Sequence, residues 1–250
     1  MSMASNFMGL AIFLILTVAY FIAVYMTKKK LHNMEFIIYM SLVYIMQFII
    51  NLYFSKTLCG SIQTKSAFIN TVVPWSLIFG TLVVILLMIP SWLKPFANSF
   101  GYLIISMMGL KKILLTLLKP KEVTEDSKLN VELQKLYDDP SLLVNEIPNT
   151  QEGFDKFRES IKDLLDPKCD TDENFNKLQK LIDLKFLVSK FIWYTLGGIL
   201  TFSISYNFMI KSSCELSVQE MEEKHDKYER LVEKREENVV EPRVYKNFGD

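Results

Sequence analysis

The side chains able to do chemistry are few and badly spaced for it. The only histidines, His32 and His225, stand at opposite ends of the chain. A histidine-based triad or a histidine-rich metal site therefore lacks its parts. No C-x-x-C, H-E-x-x-H, G-x-S-x-G or Walker-type glycine loop occurs. Asp138-Asp139 and Asp170-Thr171-Asp172-Glu173 cluster carboxylates, but each reads better as a turn or a helix cap. Lys190 is the one charge inside an apolar run, within snorkelling reach of a membrane interface, which argues against a proton relay. The expectation is a protein that is not an enzyme, with no catalytic, cofactor-binding or metal-ligating residue.

The elements around these residues are far more legible. Half of the residues are hydrophobic, and they gather into Asn6 to Met26, Phe36 to Phe54, Pro74 to Trp92 and Phe186 to Ile210. A hydrocarbon core of about 30 Å needs about 20 helical residues. The chain is thus expected to be an all-α polytopic membrane protein, with three N-terminal transmembrane helices and a fourth near the C-terminus. The first run exceeds a signal-peptide core and has no basic residue ahead of it, so it reads as a permanent anchor. Tyr25, Tyr53, Trp75, Trp92, Trp193 and Tyr194 near run ends form the expected interfacial belt. Formal net charge is zero and no domain is strongly basic, so no direct nucleic-acid contact is expected.

Charge placement supplies an orientation. Lys28, Lys29 and Lys30 follow the first span, which puts that loop on the cytosolic side. Alternation then sets Ser55 to Val73 outside, residues 93–185 on the cytosolic side and the tail from Lys211 outside. Lys94, Lys111, Lys112, Lys119 and Lys121, with Lys177, Lys180 and Lys185 before the fourth span, agree. Phe100 to Leu118 is apolar enough to suggest a fifth span, but Lys111-Lys112 lies in its middle, at about 2.5–3.5 kcal/mol per buried lysine. Ser106, Gly109, Lys112, Thr116 and Lys119 share one helical side, which predicts an amphipathic helix lying in the interface. Pro90 and Pro95 turn the chain into it. Cys59 and Cys214 fall on the same, non-cytosolic side. If that side is oxidising they could form a disulfide, the alternative being two ordinary thiols.

The resulting division is a three-span bundle over 1–92, an interfacial helix over 93–121, a small helical domain over 122–185, the fourth span over 186–210 and a charged tail over 211–250. In the domain, Leu129, Leu133 and Leu136 form one stripe, and Asp139 with Pro140 opens a second helix. Asn149 with Glu152 resembles a capping box for a helix carrying Phe154, Phe157, Ile161 and Leu164, stopped by Pro167. Thr171 caps a last helix that carries Phe175, Leu178, Leu181 and Ile182 straight into the fourth span, about 60 Å of helix in all. So small a domain needs other surfaces to complete its core, which makes lipid and protein partners the expectation. In the fourth span Gly197, Thr201 and Ser205 recur every four residues, allowing close helix approach. Gln47 and Asn51, one turn apart in the second span, suit hydrogen bonding across helices. In the tail, Val218, Met221, His225, Tyr228 and Val232 make a 3-4 stripe suited to helix pairing, with Glu220–Lys224, Glu223–Lys227 and Asp226–Arg230 as supporting pairs. From Glu236 onward an extended arm is expected.

Three strings carry a family resemblance: Trp92-Leu-Lys-Pro-Phe-Ala-Asn-Ser-Phe-Gly-Tyr102, Leu136-Tyr-Asp-Asp-Pro-Ser-Leu-Leu-Val-Asn-Glu146, and Trp193-Tyr194 through Gly198 with Ser203-Ile-Ser-Tyr-Asn207 and Cys214. They resemble segments of multi-span virion membrane proteins, or minor capsid proteins, of large nucleocytoplasmic DNA viruses, phycodnaviruses among them. The resemblance implies a structural protein of an internal virion membrane derived from host endoplasmic reticulum. It would anchor that bilayer to the capsid through residues 93–185, with the tail facing the interior. Trp92, Pro95, Phe96, Phe100, Tyr102, Tyr137, Pro140, Asn145, Phe154, Phe157, Gly197, Thr201 and Ser205 are the expected partner or packing contacts. The alternative is an accessory subunit of a cellular respiratory or translocation complex, and a transporter comes third.

Overall fold

The computed structural model describes residues 2–27, 32–119, 134–136, 138–139, 141–212, 214 and 218–237. The expectations on Lys28 to Lys30, Lys121, Leu129, Leu133, Tyr137, Pro140 and the arm beyond residue 237 lie outside the described residues, as do the side chains of Val218, Glu220 and Glu236. The described chain is all-α: α1 (Ser2–Thr27), α2 (His32–Cys59), α3 (Thr64–Met88), α4 (Pro90–Met107), α5 (Leu110–Leu117), α6 (Ser141–Val144), α7 (Gln151–Ser160), α8 (Asp172–Lys211) and α9 (Val218–Glu237). Helices α1, α2, α3 and α8 are each long and apolar enough to cross a membrane. They form a polytopic bundle in which α8 packs against α1, α2 and α3.

The third span starts earlier than its hydropathy suggests. Its hydropathy places Ser55 to Val73 in an outer loop, yet α2 runs on to Cys59 and α3 begins at Thr64. The turn needs only Gly60, in the left-handed region at φ 76°, and a Ser55 hydroxyl that accepts the Gln63 amide at 3.1 Å. Ser66, Asn70 and Thr71 make the first half of α3 look like a loop, but they turn inward to polar partners on α2 and α8. Trp75 is consequently no interfacial residue; it is fully buried between Phe13 and Phe79, with ring centroids at 5.5 and 5.3 Å. Tyr194 is likewise buried, against Tyr20, Phe21, Tyr39 and Phe79.

Pro74 sits inside α3 and is followed by a π-helical turn over Trp75–Gly80. Proline removes the amide that Asn70 O would receive in a regular helix. Ser205 of α8 supplies the missing donor, its hydroxyl reaching Asn70 O at 2.6 Å. The same Ser205 oxygen accepts from Asn51 Nδ2 at 3.1 Å and from Gln47 Nε2 at 3.5 Å, and Asn51 also donates to Thr71 at 2.8 Å. Three spans thereby share one buried polar cluster, the usual way polar side chains bind helices together in lipid.

Cys59 and Cys214 are joined in a disulfide, their Cα atoms 5.5 Å apart. The two must lie on one side of the bilayer, so the chain between them crosses an even number of times. Helices α3 and α8 account for two crossings. The bent pair α4–α5 therefore adds no complete span, although its composition would allow one. It is also not the single interfacial helix expected over 93–121. Gly109, at φ 94°, breaks the helix and the axes turn by 83°. Ser106 and Lys112 thus lie on different helices and share no face. Beyond the bend, Leu110, Leu114 and Leu117 of α5 are buried while Lys111 and Lys112 are exposed.

Helix α8 is continuous over 40 residues, about 60 Å and twice the hydrocarbon thickness. Thr171 caps it, accepting the Asn174 amide at 3.4 Å, with Asp172 and Glu173 favourably placed in the first turn. Its N-terminal half carries the small domain. Helix α7 is capped one residue later than expected, by Thr150 accepting from the Gly153 amide, and it ends at Ser160 rather than near Pro167. Ile161 and Leu164 nevertheless face inward through the 3-10 turn Lys162–Leu164. An antiparallel bridge between Leu118 and Leu165 ties the end of α5 to this domain.

Candidate functional site

The part of the molecule with most to do is the joint where α4, the domain and α8 meet at one membrane face. Four contacts build it from the span outward. Trp193 donates its indole N–H to Trp92 O at 2.9 Å, and the two rings lie 5.9 Å apart. Phe96 packs edge-on against Trp193 at 4.9 Å. Ser189 donates to Leu93 O at 2.6 Å. Finally Gly101 passes so close to Lys185 that an added Cβ would collide with the Lys185 carbonyl oxygen. The carbonyls of Trp92 and Leu93, at the start of α4, thus both accept from side chains of α8.

Two helical turns before Trp193, about 12 Å further from the membrane centre, Lys185 is fully buried. Its ammonium donates to Val144 O and to Asn145 Oδ1, both at 3.0 Å. Burial pushes the Lys185 pKa down to about 8, with Glu146 opposing that shift and Lys94 adding to it. The lysine is thus a hydrogen-bonded peg joining the end of α6 to the shaft of α8. Above it, Phe154, Phe157, Phe175 and Leu178 close the domain core. Arg158 lies 4.3 Å over the Phe175 ring and bonds Asp172 at 2.7 Å and Asp170 at 2.6 Å. Of the carboxylates clustered in the sequence, Asp170 and Asp172 are therefore ion-paired to a domain arginine, Glu173 pairs with Lys177, and Asp139 accepts the Ser141 amide.

The structure sorts the expected contact residues by what they touch. Phe154 and Phe157 are buried in the domain's own core and are unavailable to a partner. Gly197 faces Leu82 of α3, Thr201 and Ser205 are fully buried, and Ser205 belongs to the polar cluster; this small-residue stripe serves helices of the same chain. Asn145 bonds Lys185, and Phe96 packs on Trp193 and Phe100. Tyr102 is partly buried against the core, and Pro95 is exposed. Trp92 and Phe100 keep large exposed faces, and with Leu103 and Met107 they lie opposite the buried Ala97, Gly101 and Ile105. Tail helix α9 is exposed along its described side chains apart from Val232, which is half-buried; His225 pairs with Glu229 at 3.2 Å and Lys224 donates to Cys59 O at 3.2 Å. Among the described residues no three histidine, cysteine, aspartate or glutamate side chains converge as a metal site would require.

Lys185 and the Pro74–Asn70–Ser205 relationship are what sequence reasoning overlooked. Lys185 reads as one more basic residue flanking a span, and only its partners on a distant segment reveal its burial. Pro74, directly preceded by Val72-Val73, was the available signal for the second. No protein-family model, curated protein or solved structure matches this chain.

Proposed function

We propose that this protein is a non-enzymatic membrane scaffold that attaches a protein layer to a bilayer, as a structural component of a virion with an internal membrane. The observation that carries this reading is the continuity of α8: one helix is both transmembrane span and spine of the extramembrane domain. A load applied to the domain passes into the bundle without a flexible linker. The joint at Trp92, Leu93, Gly101 and Lys185 braces that spine where it leaves the lipid. Phe13, Trp75 and Phe79 fill the middle of the bundle, which favours an anchor over a solute path. The outward face of the domain presents Glu152, Asp155, Lys156, Glu159 and Lys162, with Leu142 and the exposed side of α4 nearer the membrane. The apolar base with charged residues around it has the pattern of an interface core with a polar rim, which supports docking of a protein layer.

Quantitative mass spectrometry of purified particles tests the reading. A copy number in fixed ratio to the capsid protein is expected. Recovery instead in a cellular membrane complex, or solute flux in proteoliposomes, would replace it with the corresponding alternative.

A further inference from the structure

Between the four spans, at the level of their domain-side ends, lies a cavity of about 90 Å³. Its wall takes Tyr20 and Val24 from α1, Phe36 from the start of α2, Leu86 and Leu87 from the end of α3, and Lys190 from α8. Tyr20, Val24, Phe36, Leu86 and Leu87 fall within about two turns of the ends of their helices, and Lys190 lies about one turn into the apolar run that starts at Phe186. Leu87 is exposed and Val24 half-buried, so the mouth opens on the outer face of the bundle, toward the lipid.

A water-filled cavity needs several polar partners per water molecule. This wall is largely apolar and aromatic, with Tyr20, Tyr194 and Lys190 as its polar members, and its mouth faces hydrocarbon. One ammonium, Lys190, stands among these side chains at the depth where headgroups meet acyl chains. Its three N–H donors allow a phosphate oxygen to join the contacts it already has. Apolar walls beside a cation near the ends of the spans match the two ends of one molecule.

We infer that this cavity is a binding site for an anionic phospholipid of the domain-side leaflet, its upper acyl chain between Val24, Phe36 and Leu87 and its phosphate on Lys190. The inference needs the chain only to be membrane-embedded and stands apart from the scaffold function. Ordinary annular lipid would touch all outward faces alike. A bound lipid occupies one gap.

The full chain in nanodiscs of phosphatidylcholine with a minor fraction of phosphatidylglycerol tests it, using a phosphatidylglycerol with a diazirine near the acyl carbonyl. Labelling is expected to concentrate on peptides carrying Val24, Phe36 and Leu87, above that of Ile22, which is exposed on the same stretch of α1. Leu87→Trp, at an exposed position and so without a folding penalty, should narrow the mouth and abolish the excess. Lys190→Gln should weaken retention of phosphatidylglycerol about fivefold in native mass spectrometry, the loss of about one interfacial cationic contact, and leave phosphatidylcholine unaffected. Equal labelling of Ile22 and Val24, unchanged by Leu87→Trp, would mean annular lipid only and overturn the site. Equal loss of both lipids in Lys190→Gln would overturn the role of the phosphate.

Discussion

Ser205 donates its hydroxyl hydrogen to the carbonyl oxygen of Asn70 at 2.6 Å, the carbonyl that Pro74 deprives of its helical amide. A proline in a span and a serine in the last span are thus two halves of one device. The acceptor that Pro74 leaves open, just ahead of the π turn in α3, is filled by a donor on α8, and Asn51 of α2 donates to the oxygen of that same Ser205 hydroxyl. The bundle is fastened where its regularity fails.

Removing the donor should therefore matter only while the proline is present. Ser205→Ala is expected to cost about 1–2 kcal/mol, the scale of a buried acceptor left unpaired in a membrane bundle. In a Pro74→Ala background, where Asn70 O regains an amide, the same change should cost clearly less. Denaturation of the four variants in mixed micelles gives the coupling. Strict additivity would show that the two residues act independently.

The Cys59–Cys214 bridge spans 155 residues of sequence. Cross-links of long loops commonly stabilise by about 2–4 kcal/mol. Non-reducing electrophoresis should show a faster band that slows on reduction, and Cys214→Ser should run at the reduced position throughout. Identical mobility of oxidised and reduced wild type would remove the bridge, and with it the parity argument that keeps α4–α5 from crossing.

Lys185 predicts a pH dependence. Its folded pKa, about 8, lies below the ordinary 10.5, so between these values the unfolded chain holds a proton that the folded one has lost. Stability from this site must then rise with pH across that window, the burial penalty being complete below pH 8. Thermal unfolding between pH 7 and pH 9.5 should reveal the rise. Lys185→Met should be less stable overall, because Val144 O and Asn145 lose their donor, and its pH slope should be flatter. An unchanged slope would assign the effect elsewhere.

Two glycines separate close approach from mere helix flexibility. At Gly101 a Cβ would collide with the Lys185 carbonyl oxygen, whereas at Gly80 it would rest 3.6 Å from Trp75 O, an ordinary contact. Gly101→Ala is expected to destabilise by about 1–3 kcal/mol through overpacking and to alter the fluorescence of Trp92 and Trp193. Gly80→Ala should be neutral or stabilising by up to about 1 kcal/mol. The reverse order would mean that α4 is not seated on α8 at this point.

The sequence carried the long elements clearly and the seams poorly. Hydrophobic runs of bilayer length identify spans because lipid demands them, and Thr171 marks the start of α8 because its cap is local. The start of α3 was hidden because Ser66, Asn70 and Thr71 find polar partners on other helices, which no local pattern reveals. Trp75 misled for the same reason: an aromatic at the edge of an apolar run resembles an interfacial anchor until the run proves longer. The bend at Gly109 depends on one backbone conformation that the apolar periodicity passes over. Lys185, the peg of the joint, owes its burial to residues some 40 positions earlier.

The attachment role is tested most directly by cross-linking mass spectrometry on intact particles or membranes. The account predicts links from the exposed Lys156, Lys162 and Lys168 of the domain to one protein species of an external layer, lost when that layer is stripped. Intermolecular links confined to Lys224 and Lys227 of the tail, with the domain lysines linked only within the chain, would contradict it.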